Sequence, residues 1–92
     1  MANIARLEVG TEWVDLETAI EGFSPEEGDQ YEIQNIGGTQ YLQVYEGATA
    51  PTQEKNGFIV KPFKTGTWTK EDGQKLFVAA VDGQVTINIA KI

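Results

Sequence analysis

Hydrophobic and polar positions alternate along this chain in short runs, and turn residues break those runs. Val85, Ile87 and Ile89 share one side of a run, and Gln84, Thr86, Asn88 and Ala90 take the other. That period of two predicts a strand with one buried face. Just before it, Leu76-Phe77-Val78-Ala79-Ala80-Val81 is apolar on both sides. Such a strand is central in its sheet, or another chain covers its outer face. Asp82-Gly83 between the two runs predicts a two-residue hairpin, because Gly readily takes the positive φ that such turns need. Asp72-Gly73 predicts a longer hairpin loop from Thr65–Thr69 into residues 75–81.

Upstream, Phe58-Ile59-Val60-Lys61-Pro62-Phe63 reads as a strand that Pro62 ends or confines to an edge. Tyr31, Ile33 and Asn35 alternate with Glu32 and Gln34. After Gly37-Gly38, Leu42 and Val44 face one way and Tyr41, Gln43 and Tyr45 the other. Residues 47–57 are polar and long enough to suggest a crossover between sheets. Residues 12–16 read as a strand, and the best helical candidate, residues 14–20, is too short to stand alone. The sum is six or seven strands in an all-β fold, an antiparallel β-sandwich or alternatively a small β-barrel. Residues 1–10 form an arm or edge strand and residues 11–92 a single domain. The expected core is Trp13, Ile33, Leu42, Val44, Val60, Leu76, Val78, Val85, Ile87 and Ile89.

A chain of 92 residues leaves little room for a core and a deep substrate cleft together. It contains no Cys and no His, which removes disulfides, thiolate chemistry, His-based triads and His-ligated metals. Its net charge of −7 disfavours nucleic acid and anionic membranes as partners. No basic segment followed by an apolar run opens the chain, and no stretch reaches the roughly 20 apolar residues of a membrane span.

The acidic groups Glu26-Glu27-Gly28-Asp29 and Glu71-Asp72 sit in Gly-containing loops where nothing would raise a carboxyl pKa. The first lacks the spacing of an EF-hand, so no metal is expected. Gly37-Gly38-Thr39 lacks the lysine and helix of a phosphate loop, and Ser24 has no His partner. No catalytic residue and no cofactor are expected. Aromatic residues carry more information. Tyr41 and Tyr45 lie opposite the Leu42/Val44 face, where they either cover the sheet singly or contact a protein or a sugar.

The succession Tyr31-Glu32-Ile33-Gln34-Asn35-Ile36-Gly37, Tyr41-Leu42-Gln43-Val44-Tyr45-Glu46-Gly47, Ala50-Pro51-Thr52, Gly57-Phe58-Ile59-Val60, Gln74-Lys75-Leu76-Phe77-Val78-Ala79-Ala80 and Val85-Thr86-Ile87 resembles the small β-sandwich virion proteins of tailed bacteriophages. Those proteins are head decoration, cement, fibre-base or tail accessory subunits. The resemblance spans residues 13–90. It implies a non-enzymatic structural subunit, made in the host cytoplasm and located in the virion. It also implies a homo-oligomer, with a trimer favoured, bound to the major capsid protein or another virion protein. The residues expected at contacts are Ile4, Leu7, Val9, Tyr41, Tyr45, Phe63, Trp68 and Phe77. Phe77, Ala79 and Val81 would form one packing face, and the segment with Ile4, Leu7 and Val9 could add as a strand to a neighbour. Two other readings stay open. A carbohydrate- or receptor-binding module of a tail or fibre predicts a groove lined by Trp68 or by Tyr41 and Tyr45. An inhibitor or regulatory adaptor predicts a single tight protein partner.

Overall fold

A computed structural model of the chain describes residues 2–37, 39–51 and 58–92. In chain order its elements are β1 (Ala2–Val9), β2 (Val14–Asp15), α1 (Leu16–Ala19), β3 (Gln30–Asn35), β4 (Leu42–Gly47), β5 (Phe58–Val60), β6 (Thr65–Thr69), β7 (Lys75–Ala80) and β8 (Val85–Lys91). They build two antiparallel four-stranded sheets, ordered β1-β8-β3-β6 and β2-β7-β4-β5. The fold is therefore the expected all-β sandwich, with eight strands where six or seven were predicted. The added strand is β1. It is an edge strand running along β8, with Leu7 opposite Ile87 and Val9 opposite Val85, and so it completes its own sheet.

The core follows the alternation. Ile33, Val85, Ile87 and Ile89 of the first sheet meet Leu42, Val44, Val60, Leu76 and Val78 of the second, all buried. Trp13 departs from expectation. It is half-buried outside the core, and its ring packs edge-on against Tyr45 at 6.3 Å. Unpredicted core members include Val9, Leu16, Tyr31 and Trp68. Leu16 enters through α1, a single turn capped by Asp15, whose carboxylate accepts the Glu17 backbone N–H at 2.9 Å. The strand expected over residues 12–16 thereby shrinks to Val14–Asp15.

The connections differ most from expectation. β7 pairs with β2 and β4, while β8 pairs with β1 and β3. Asp82-Gly83 is thus an arch between sheets and not a hairpin turn, although Gly83 does take a positive φ of 64°. Asp72-Gly73 likewise carries the chain from β6 in one sheet to β7 in the other. The segment expected to cross over, residues 47–57, instead joins β4 to β5, which are neighbours in one sheet. Its residues 52–57 lie outside the described residues. Burial explains the pairing. β7 has two buried faces and takes a central place, and β8 does the same in the other sheet.

The outer faces contrast. On the first sheet, Gln30, Glu32 and Gln34 of β3 stand opposite Thr69, Thr67 and Thr65 of β6, giving a polar face. On the second, the register places Tyr45 beside Phe77, Gln43 beside Ala79 and Ile59 beside Gln43. The second sheet is therefore largely apolar on both sides.

Candidate functional site

Two features of this sandwich stand out, one at each end of the first sheet. The first lies where β3 ends. There Asn35 is fully buried and holds neighbouring stretches together. Its Nδ2 donates to the carbonyls of Gln40 at 2.8 Å and Val60 at 2.9 Å, and its Oδ1 accepts the Gly37 N–H at 3.1 Å. Its backbone carbonyl accepts the Phe63 N–H at 2.7 Å, and its own N–H donates to Lys64. A buried amide satisfied this fully fixes local geometry strongly. Gly37 fits beside it only because it has no side chain: a Cβ there would lie 2.5 Å from the Thr86 backbone nitrogen.

Around this anchor the surface is apolar. Tyr41 is 43% exposed, Val81 49% and Ile59 51%. They belong to one outer face, since the Val81 N–H donates to the Tyr41 carbonyl and Ile59 pairs with Gln43, two residues from Tyr41. Phe63 projects from the turn between β5 and β6 and is 75% exposed. Its φ is +62°, a left-handed conformation unusual for a bulky residue. The exposed Lys61 and Lys64 flank it, and neither is ion-paired among the described residues.

The second feature is a cleft of about 450 Å³ at the opposite end, where β3 begins and β8 finishes. Ile4, Ile20 and Phe23 supply its apolar lining, and Glu21, Glu26, Asp29 and Lys91 supply its charge. Ile4 sits at an irregularity in the β1–β8 register between Asn3 and Ala5. Such bulges re-aim side chains, and this one places Ile4 on the cleft wall. Asp29 organises the opposite wall. One of its oxygens accepts the Glu26 N–H at 3.0 Å and the Tyr31 hydroxyl at 3.2 Å, and the other lies 3.5 Å from the Lys91 ammonium. The Glu26 N–H holds the Asp29 carboxyl below its ordinary range against a smaller opposing effect of burial, with help from Tyr31 and Lys91. The Tyr31 phenol is pushed up to about 12, chiefly by burial and then by its bond to the Asp29 carboxylate. Beneath the cleft, Phe23, Tyr31 and Trp68 pack in series, at 5.2 Å edge-on and 5.5 Å stacked.

Comparison with protein-family models, with curated proteins and with solved structures returned no match.

The residues expected at contacts separate into three groups. Tyr41 and Phe63 are exposed at the β3-terminal end, and Ile4 is on the cleft wall. Leu7 and Tyr45 are half-buried, Leu7 against the core and Tyr45 between Trp13 and Phe77. Val9, Trp68 and Phe77 are buried within the chain itself and offer no contact surface. Val9 faces Val85 in the core, and Phe77 lies beside Tyr45. Trp68 stacks on Tyr31 and donates its Nε1–H to Glu46 at 2.9 Å, so it lines no groove. Of the face expected from Phe77, Ala79 and Val81, only Val81 is exposed. Ile59 and the two lysines beside Phe63 escaped the sequence reading. The strand does stop before Pro62 and lies at a sheet edge, as its proline implied, but the exposed turn that follows it was not anticipated. The sequence signal available was the Lys-Pro-Phe-Lys run itself, a proline next to two charges.

Proposed function

We propose that this chain is a non-enzymatic structural subunit of a tailed-phage virion, of the decorating or cementing kind. It holds a neighbouring virion protein, most simply the major capsid protein, against the outer face of the second sheet. The observation that carries this reading is the exposed Tyr41, Ile59 and Val81 cluster on a sheet whose opposite face is already the core. A sheet that has buried one apolar face has no internal need for another. Exposed apolar clusters with a polar surround mark interaction surfaces. The order of motifs from Tyr31 to Ile87 supports the virion setting.

The decisive experiment uses tailed-phage particles, purified by density gradient from host cells that produce the chain. An antibody to the chain should detect it in fixed ratio to the major capsid protein. Particles carrying Ile59→Glu should lose it by tenfold or more, because burying a carboxylate in an apolar contact is costly. Particles that never contain the chain would overturn the proposal.

A further inference from the structure

The two ends of this sandwich carry opposite charges beside apolar groups. One end presents Phe63, three-quarters exposed and held in a left-handed turn by the Asn35 carbonyl. Lys61 and Lys64 stand on either side of it. The other end carries the 450 Å³ cleft, with Ile4, Ile20 and Phe23 on its apolar walls. Three carboxylates line that cleft, those of Glu21, Glu26 and Asp29, against the single ammonium of Lys91. The ammonium is committed to Asp29, which leaves Glu21 and Glu26 to meet two incoming positive charges. A cleft of this size accommodates an aromatic side chain with room for its flanking residues. A phenyl ring makes a good anchor because it brings large area at low entropic cost.

We infer that the cleft receives the residue 61–64 turn of a second copy of the same chain, with Phe63 as the anchor and Lys61 and Lys64 facing Glu21 and Glu26. The contact is head to tail, so each copy offers one free turn and one free cleft. Successive copies then form a ring where the rotation closes and a filament where it does not. The contact uses none of Tyr41, Ile59 and Val81. It therefore goes beyond the proposed virion attachment, and either can fail without the other.

Complementary variants test it. The turn variant carries Lys61→Ser, Phe63→Ser and Lys64→Ser, all at exposed positions. The cleft variant carries Glu21→Lys and Glu26→Lys, also exposed. In sedimentation equilibrium the wild-type chain should exceed a dimer's mass as concentration rises, whereas each variant alone should remain at 10.1 kDa. Each variant keeps one intact partner surface. Their equimolar mixture should therefore give a particle of two chains and nothing larger. Phe63→Gly removes the ring without altering charge and should weaken wild-type assembly at least tenfold. The inference is overturned by a wild-type chain that stays monomeric. It is equally overturned by variants that retain wild-type assembly, or by a mixture that remains monomeric while both variants show the wild-type circular dichroism spectrum.

Discussion

Asn35 shows how much one polar residue can do in an apolar sandwich. Its side chain satisfies the Gln40 and Val60 carbonyls and the Gly37 N–H, tying the connection that follows β3 to the end of β5. Replacing it with Ala leaves these groups without their partner and opens a small void. Each buried orphan costs about 1–3 kcal/mol, part of which local rearrangement recovers. A total near 3 kcal/mol is expected, lowering the thermal midpoint by roughly 15 °C in a domain of this size. Scanning calorimetry of Asn35→Ala checks this. A midpoint within a few degrees of wild type would mean that water replaces the amide at little cost. The alternation in residues 30–35 placed Asn35 inward beside Tyr31 and Ile33. It could not say why an amide belongs there, because its partners are brought in by the fold, 5 and 25 residues away.

At the level of strands and turns, the sequence conveyed the elements far better than their pairing. Ile33, Leu42, Val44, Val78 and Ile87 are buried as their spacing required, since that spacing depends only on the local backbone. The Asp-Gly pairs marked turns correctly, and Gly73 and Gly83 both have positive φ. What a local signal cannot carry is the partner of the strand it ends. Arch and hairpin make similar local demands. The choice between them was made by β7 and β8, each seeking a central place in a different sheet. Pro62 signalled the end of β5, but the shape of the turn that follows was illegible for another reason: Phe63 holds a conformation that its own chemistry disfavours. Phe63→Gly relieves that conformation and sacrifices little burial, because the ring is mostly in water. The variant should therefore be equal or more stable in denaturant, by up to about 1 kcal/mol once the entropy of glycine is deducted. Its self-association should fall at the same time. A residue whose removal helps the fold and harms assembly is held for assembly. A destabilisation above about 1 kcal/mol would instead assign the ring to the fold.

For the molecule as a whole, the charge of −7 is unevenly spread, and that unevenness separates the two contacts proposed for it. The turn at residues 61–64 brings two cations to a cleft with two uncommitted carboxylates, so ions in solution must compete with it. Screening shortens the reach of such charges from roughly 10 Å at 0.1 M salt to 3 Å at 1 M. The contact proposed for the outer face of the second sheet uses Tyr41, Ile59 and Val81, none of them an acidic or basic side chain of the Asp/Glu/Lys/Arg kind. Sodium chloride leaves such a contact nearly unchanged, and sulfate strengthens it through exclusion from apolar surface. Raising sodium chloride from 0.1 to 1 M should accordingly weaken self-association by about tenfold. The amount of chain retained on virion particles should hold steady over the same range. Light scattering on the free chain and immunoblots of washed particles read the two quantities separately. Self-association indifferent to salt would remove the electrostatic reason for pairing this turn with this cleft. Loss of the chain from particles in step with self-association would mean that one contact serves both roles.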